Sequence, residues 1–191
     1  LMGTSVSESA SQYYFSQLNT KSGLSNNCVL SVIQDRNGFI WNGTKDGLNR
    51  YDGTTCKIFR REFGDGNALG NSFITCLLED SEGNIWVGTD VGVYVYSPVS
   101  EKFSPLLLRD DSGRPVDKFV THMEEDSRGG IWILVNTYGM FHYDPATRSA
   151  SHVALGDGYP RVIKSFTIDR SGTIWFAFHR GGLYCTKDGF A

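Results

Sequence analysis

Four tryptophans, Trp41, Trp86, Trp132 and Trp175, stand 45, 46 and 43 residues apart, and each closes a copy of one short phrase. The copies read Asp35-Arg-Asn-Gly38-Phe-Ile-Trp41, Asp80-Ser-Glu-Gly83-Asn-Ile-Trp86, Asp126-Ser-Arg-Gly129-Gly-Ile-Trp132 and Asp169-Arg-Ser-Gly172-Thr-Ile-Trp175. Asp, Gly, Ile and Trp keep their offsets in all four, and the chain has no other tryptophan. A period in the forties means stacked supersecondary units, none of which buries its apolar face alone.

One repeat carries four strand signals. Val29–Asp35 is rich in β-branched residues and ends on Asp35-Arg-Asn-Gly38, where Asp bonds its own backbone and Gly supplies a positive φ. Gly38–Thr44 returns as a second strand, Lys45-Asp-Gly47 turns again, and Leu48–Asp52 makes a third. Cys56–Phe59 is a weaker, more polar fourth. Four antiparallel strands with short turns in about 45 residues predict a blade of a β-propeller. The later repeats give the same signals, and the fold class read from them is all-β. A helical or leucine-rich solenoid is excluded, because no apolar stripe of period 3.6 is present. Blade repeats are expected at about 24–68, 69–115, 116–159 and 160–191.

The aromatic content of 13% and the 22 glycines suit sheets joined by tight turns. A net charge of -3 and a pI near 5.8 point away from nucleic acid and anionic membrane. No apolar run approaches the roughly 18 residues of a membrane span. Cys28, Cys56, Cys76 and Cys185 form no CxxC pair and lie in or beside apolar runs. Buried free thiols are expected, with a Cys28–Cys76 disulfide the alternative in an exported chain.

Residues 1–12 read as a disordered leader or the remnant of a signal peptide. Tyr13-Tyr-Phe-Ser-Gln-Leu18 reads as an orphan strand, and the fourth repeat stops after its third. Either 13–18 closes a four-bladed ring, or the chain is part of a larger ring, for example a seven-bladed one. The second reading is favoured here, with open blade edges that favour association.

The stretches Gly23–Asn27 and Val32–Gly53, together with Asp80–Tyr96, closely resemble the two-component regulator propeller repeat. Repeats three and four keep Asp-x-x-Gly and Ile-Trp but carry Leu134-Val135 and Ala177-Phe178 where the earlier two have Gly-Thr. The resemblance covers roughly residues 13 to 187. It implies the periplasmic sensor region of a Bacteroidetes hybrid two-component protein, with a β-sandwich, a membrane helix and a histidine kinase downstream. The implied signal is an oligosaccharide. The expected partners are that ligand, the remaining blades and downstream domains of a parent protein, and a second copy in a homodimer. No nucleic acid is expected to bind this region.

Catalysis is not expected. His122, His142, His152 and His179 stand singly, without HExxH, GxSxG or CxxC contexts, and neither metal nor cofactor is expected. A residue present once per blade, such as each Asp and Trp of the phrase, reads as structural. Strand order puts the loops from strand two to three, and from strand four to the next blade, opposite the Asp-x-x-Gly turns. A ligand is therefore expected at Asn27, Lys45, Asp46, Asp90, Asn136, Tyr138, Arg161, His179 and Arg180. Tyr138 and Arg180 stand out, because the interval from Trp to the glycine directly before the third strand (Gly47, Gly92, Gly139, Gly182) grows from six residues to seven in repeats three and four. A protein-interaction platform in a cell-envelope or secretion assembly is the alternative function. A propeller lyase or hydrolase comes third.

Overall fold

The computed structural model describes residues 14–156 and 162–186. Blade 1 holds β1 (Val29–Gln34), β2 (Ile40–Thr44), β3 (Gly47–Tyr51) and β4 (Cys56–Phe59). Blade 2 holds β5 (Ile74–Glu79), β6 (Ile85–Thr89), β7 (Gly92–Ser97) and β8 (Lys102–Leu106). Blade 3 holds β9 (Val120–Glu125), β10 (Ile131–Val135), β11 (Gly139–Asp144) and β12 (Ser149–Val153). Blade 4 has three strands among the described residues: β13 (Ile163–Ile168), β14 (Ile174–Phe178) and β15 (Gly182–Cys185). Every sheet is an antiparallel meander in chain order, as the turns predict. One 3₁₀ turn at Thr20–Ser22 precedes the first sheet.

The recurring phrase has a definite mechanical role. The N–H of Gly38, Gly83, Gly129 and Gly172 donates to the carbonyl of its Asp at 2.9, 3.0, 3.0 and 2.9 Å. Those glycines sit at φ of 88, 88, 79 and 85°, a region a side chain resists. One carboxylate oxygen of each Asp accepts the backbone N–H groups two and four residues on. The other accepts the indole N–H of the tryptophan, at 2.8, 2.7, 3.0 and 2.9 Å in chain order. The Asp thus fastens the first turn to the second strand of its own blade. Sequence alone pointed to the turn, and the indole bond completes it.

Blades pack in chain order. The inner strands β1, β5, β9 and β13 touch one another in succession. Within a blade, alternate residues face the previous and the next blade. Trp41, Leu48 and Phe59 of blade 1 meet Leu77, Val87, Tyr94 and Tyr96 of blade 2 in one core. Two further cores, around Trp86 with Phe141 and around Trp132 with Phe176, fill the next two joints. Each inner strand carries a β-bulge near its start, which sharpens its twist toward the axis.

Two corrections to the sequence reading follow. Residues 14–18 lie outside every strand, and Tyr14 and Phe15 are 86% and 95% exposed; the leader and Tyr13 lie outside the described residues. A run of aromatics favours extended chain, but a strand also needs an unpaired edge beside it. Second, the four cysteines are free thiols, as expected, without the alternative Cys28–Cys76 disulfide, but Cys28 and Cys56 are only half-buried. Cys76 is buried as expected, and burial pushes its thiol up to about 12; Cys185 is exposed on β15.

Both ends of the array are open. Val32 is 61% exposed, although Leu77, Met123 and Phe166 at its equivalent positions are buried. Leu183 is likewise 66% exposed, whereas Leu48, Val93 and Met140 at its equivalents are buried. The described blades form an open arc and do not close a four-bladed ring.

Candidate functional site

The inner strands begin at one end of the arc, opposite the Asp-x-x-Gly turns, and there the chain builds a rim. The residue four positions after each tryptophan sits in the turn between the second and third strands: Lys45, Asp90, Asn136 and His179. Three of these are tied to the start of their own inner strand by a backbone bond. Lys45 N donates to Cys28 O (3.2 Å), Asn136 N to Phe119 O (2.8 Å) and His179 N to Val162 O (2.9 Å). The repeat therefore brings four of the expected ligand residues to equivalent places along this rim. Each presents a different chemistry: ammonium, carboxylate, amide and imidazole.

The residues that open the inner strands supply the walls. Phe73 and Phe119 occupy equivalent positions on adjacent blades, with ring centroids 6.1 Å apart at 61°. Phe119 is 37% exposed, although Val120 beside it is fully buried. Lys45 Nζ stands 6.0 Å from the Phe73 centroid. Val91, next to Asp90, is exposed as well. Asp90 Oδ1 is buried and has no hydrogen-bond partner, an arrangement that costs about 1–3 kcal/mol when a donor is withheld. Sequence reading missed the two phenylalanines, because the first residue of a strand looks like the strand itself. Their signal was their place, directly before the β-branched run.

The other expected residues go elsewhere or are engaged. Asn27 Oδ1 accepts the Thr20 N–H (2.9 Å), which anchors the 3₁₀ turn. Asp46 pairs with Arg60 at 3.1 Å. Arg180 sits exposed with φ of 58°, and Thr137 at the equivalent place in blade 3 has φ of 59°. The extra residue in each lengthened loop is thus absorbed by a left-handed, non-glycine position. That folds Tyr138 back, and its ring stacks on Phe141 at 5.8 Å and 18°. Burial, with Asp110 nearby, raises its hydroxyl pKa. Tyr138 also packs against the core at the joint between blades 2 and 3. Arg161 lies outside the described residues.

Three histidines are engaged in the scaffold. His122 bonds Glu124 (3.0 Å), His142 bonds Asp126 (3.0 Å) and lies over Trp132, and His152 bonds Asp111 (3.1 Å). Burial pushes the Asp126 carboxyl up. The N–H groups of Arg128 and Gly130, with His142 and Trp132, outweigh it and hold the group low. Among the described residues, no three His, Cys, Asp or Glu side chains gather as metal ligands.

A cleft of about 1190 Å³ lies between blades 3 and 4, at the end that carries the Asp-x-x-Gly turns. Trp132, His142, Ser151 and Val153 line one side, and Ile168, Thr173 and Ile174 the other. Among the described residues, no fourth strand of blade 4 lies along it. In blades 2 and 3 the corresponding space receives Phe103 and Ala150 from β8 and β12. The cleft thus lies at a joint that no outer strand fills among the described residues, and the rim is taken as the candidate site.

Comparison with known proteins agrees with this architecture. The family model described as "Two component regulator propeller" matches residues 23–46 and 68–91, within the first two repeats. The extracellular domain of a hybrid two component system from B. thetaiotaomicron superposes with a TM-score of 0.79 at 25% identity. That match covers 89% of this chain and 24% of the other. Histidine kinase P4 of Formosa agariphila is 35% identical over 68 residues, 36% of this chain and 5% of that protein. Virginiamycin B lyase from Staphylococcus aureus shares the fold, with a TM-score of 0.61 at 12% identity over 84% of this chain and 55% of its own. The chain thus spans about a quarter of the sensor domain and a twentieth of the kinase that it matches.

Proposed function

We propose that this chain is part of the extracytoplasmic, ligand-sensing propeller of a hybrid two-component sensor, detecting an oligosaccharide and signalling to a kinase outside the chain. The observation that carries the reading is the match, over 89% of the chain, to the extracellular domain of such a system. The repeat type and the local identity to a histidine kinase support it. No helix among the described residues is long and apolar enough to cross a membrane. Further blades of the same kind pack on the exposed faces marked by Val32 and Leu183 and extend the arc into a larger ring.

The role is recognition without turnover. The recurring Asp–Trp pairs are committed to holding each blade, and three of the four histidines are engaged in the scaffold. Likeness to the lyase at 12% identity concerns the fold alone. The two open faces favour one second reading, a platform that associates with other proteins or with a copy of itself. Screening the chain on a printed array of oligosaccharides, with chromatography of the bound sugar, tests the sensing role. Binding that leaves the sugar intact is expected. A folded chain that binds no oligosaccharide, or one that cleaves it, overturns the reading.

A further inference from the structure

We infer that the rim contains a pyranose subsite made by Phe73, Phe119 and Asp90, with Lys45 as a flanking donor. This rests on the oligosaccharide-sensing reading and assigns its contact residues.

Four observations converge on these side chains. Phe73 and Phe119 form a continuous aromatic edge across two blades, and Phe119 is exposed where the core does not need it. The equivalent places in blades 1 and 4 hold Cys28 and Val162, so the aromatic wall is confined to one part of the rim. Asp90 follows the same turn as Lys45, and its Oδ1 is withdrawn from water without a donor. Buried polar oxygens are nearly always satisfied, so an orphan at a rim points to a partner that arrives with the ligand. Lys45 places a cation 6.0 Å from the Phe73 ring centroid.

A pyranose has an apolar C–H face and hydroxyls around its edge. An aromatic wall flanked by one strong acceptor and one strong donor complements both features. A free cation would also satisfy Asp90, but Lys45 repels it. An acidic sugar would meet Lys45 and be repelled by Asp90. The arrangement favours a neutral ring whose hydroxyl donates to Asp90 Oδ1 and whose face lies against Phe119.

The test uses the 191-residue chain on a printed array of neutral and uronic-acid oligosaccharides. The strongest hit is then titrated calorimetrically against the parent chain, Asp90→Asn, Phe119→Ala and, as a control at the opposite end, Arg128→Ala. A neutral hit is expected. Its affinity should fall about 10-fold or more in Asp90→Asn and several-fold in Phe119→Ala. Arg128→Ala should bind as the parent does, and circular dichroism should show all four proteins equally folded. A sugar that binds both rim variants undiminished removes the subsite and leaves the sensing reading standing. Preference for acidic sugars also overturns the subsite as assigned. If the folded chain binds no sugar, both fall. If it instead binds putrescine in an Asp90-dependent way, the rim is a cation site and the inference is wrong.

Discussion

The joint between blades 1 and 2 and the joint between blades 3 and 4 use the same tryptophan in different settings. Trp41 is 1% exposed, with Phe59 stacked at 5.8 Å and Tyr96 of the next blade at 5.2 Å. Trp132 lies against His142 of its own blade at 4.5 Å, beside the cleft. Two substitutions account for the contrast. Tyr96 and Tyr143 reach back onto the preceding tryptophan, but Thr186 stands at that place in blade 4. Glu79 and Glu125 clamp the turn of the preceding blade through Arg36 and Ser81; Ile168 replaces that carboxylate in blade 4, where Glu124 of blade 3 accepts the Ile168 N–H at 2.7 Å instead. The Asp–Trp phrase builds each blade, while the positions around it decide how firmly blades are joined.

Truncation gives the largest expected effect. Trp41→Ala should cost about 3–5 kcal/mol in urea unfolding, and Trp132→Ala less, because its joint is already incompletely filled. Equal losses would remove the contrast between the joints. Glu79→Gln should cost about 1–2 kcal/mol, since it weakens charge-assisted bonds from the backbone and side chain of Arg36. Thr186→Tyr should stabilise by about 1 kcal/mol through contact with Trp132, read as a higher urea midpoint. No gain would mean that the tyrosine cannot reach across the cleft.

The smallest effect concerns acid. Asp126 and Asp169, the turn aspartates of blades 3 and 4, are both held low, Asp169 at about 2 chiefly by Ser171 and the Trp175 indole. Because folded values lie below the unfolded value of about 3.9, their contribution is full above that pH. It fades as the pH falls toward 2. Tryptophan fluorescence should therefore show stability nearly flat from pH 7 to 5 and declining from about pH 4. A decline that begins above pH 5 would point to other groups.

Much of the fold was legible because each repeat checks the others. All fifteen strands fall where the alternation and turns put them, with ends shifted by a residue or two. What escaped acts between repeats. Nothing local to Ile168 or Thr186 reveals that the residues 43 positions earlier, Glu125 and Tyr143, make a clamp and an aromatic bridge. Residues 14–18 form no strand for a related reason, since composition reports a preference for extended chain and pairing needs a partner edge. For the site, strand order brought Lys45, Asp90, Asn136 and His179 into view together, as loops at one end of the blades. The stacking of Tyr138 on Phe141 follows a left-handed backbone at Thr137, which no single side chain announces.

Hydrogen–deuterium exchange of the chain, with and without the oligosaccharide selected on the array, tests the central claim most directly. The account predicts protection at the rim segments 44–47, 89–92, 117–120 and 135–139, and unchanged exchange at the Asp-x-x-Gly turns 35–38, 80–83 and 126–129. Protection confined to those turns, or to the cleft between blades 3 and 4, would contradict it.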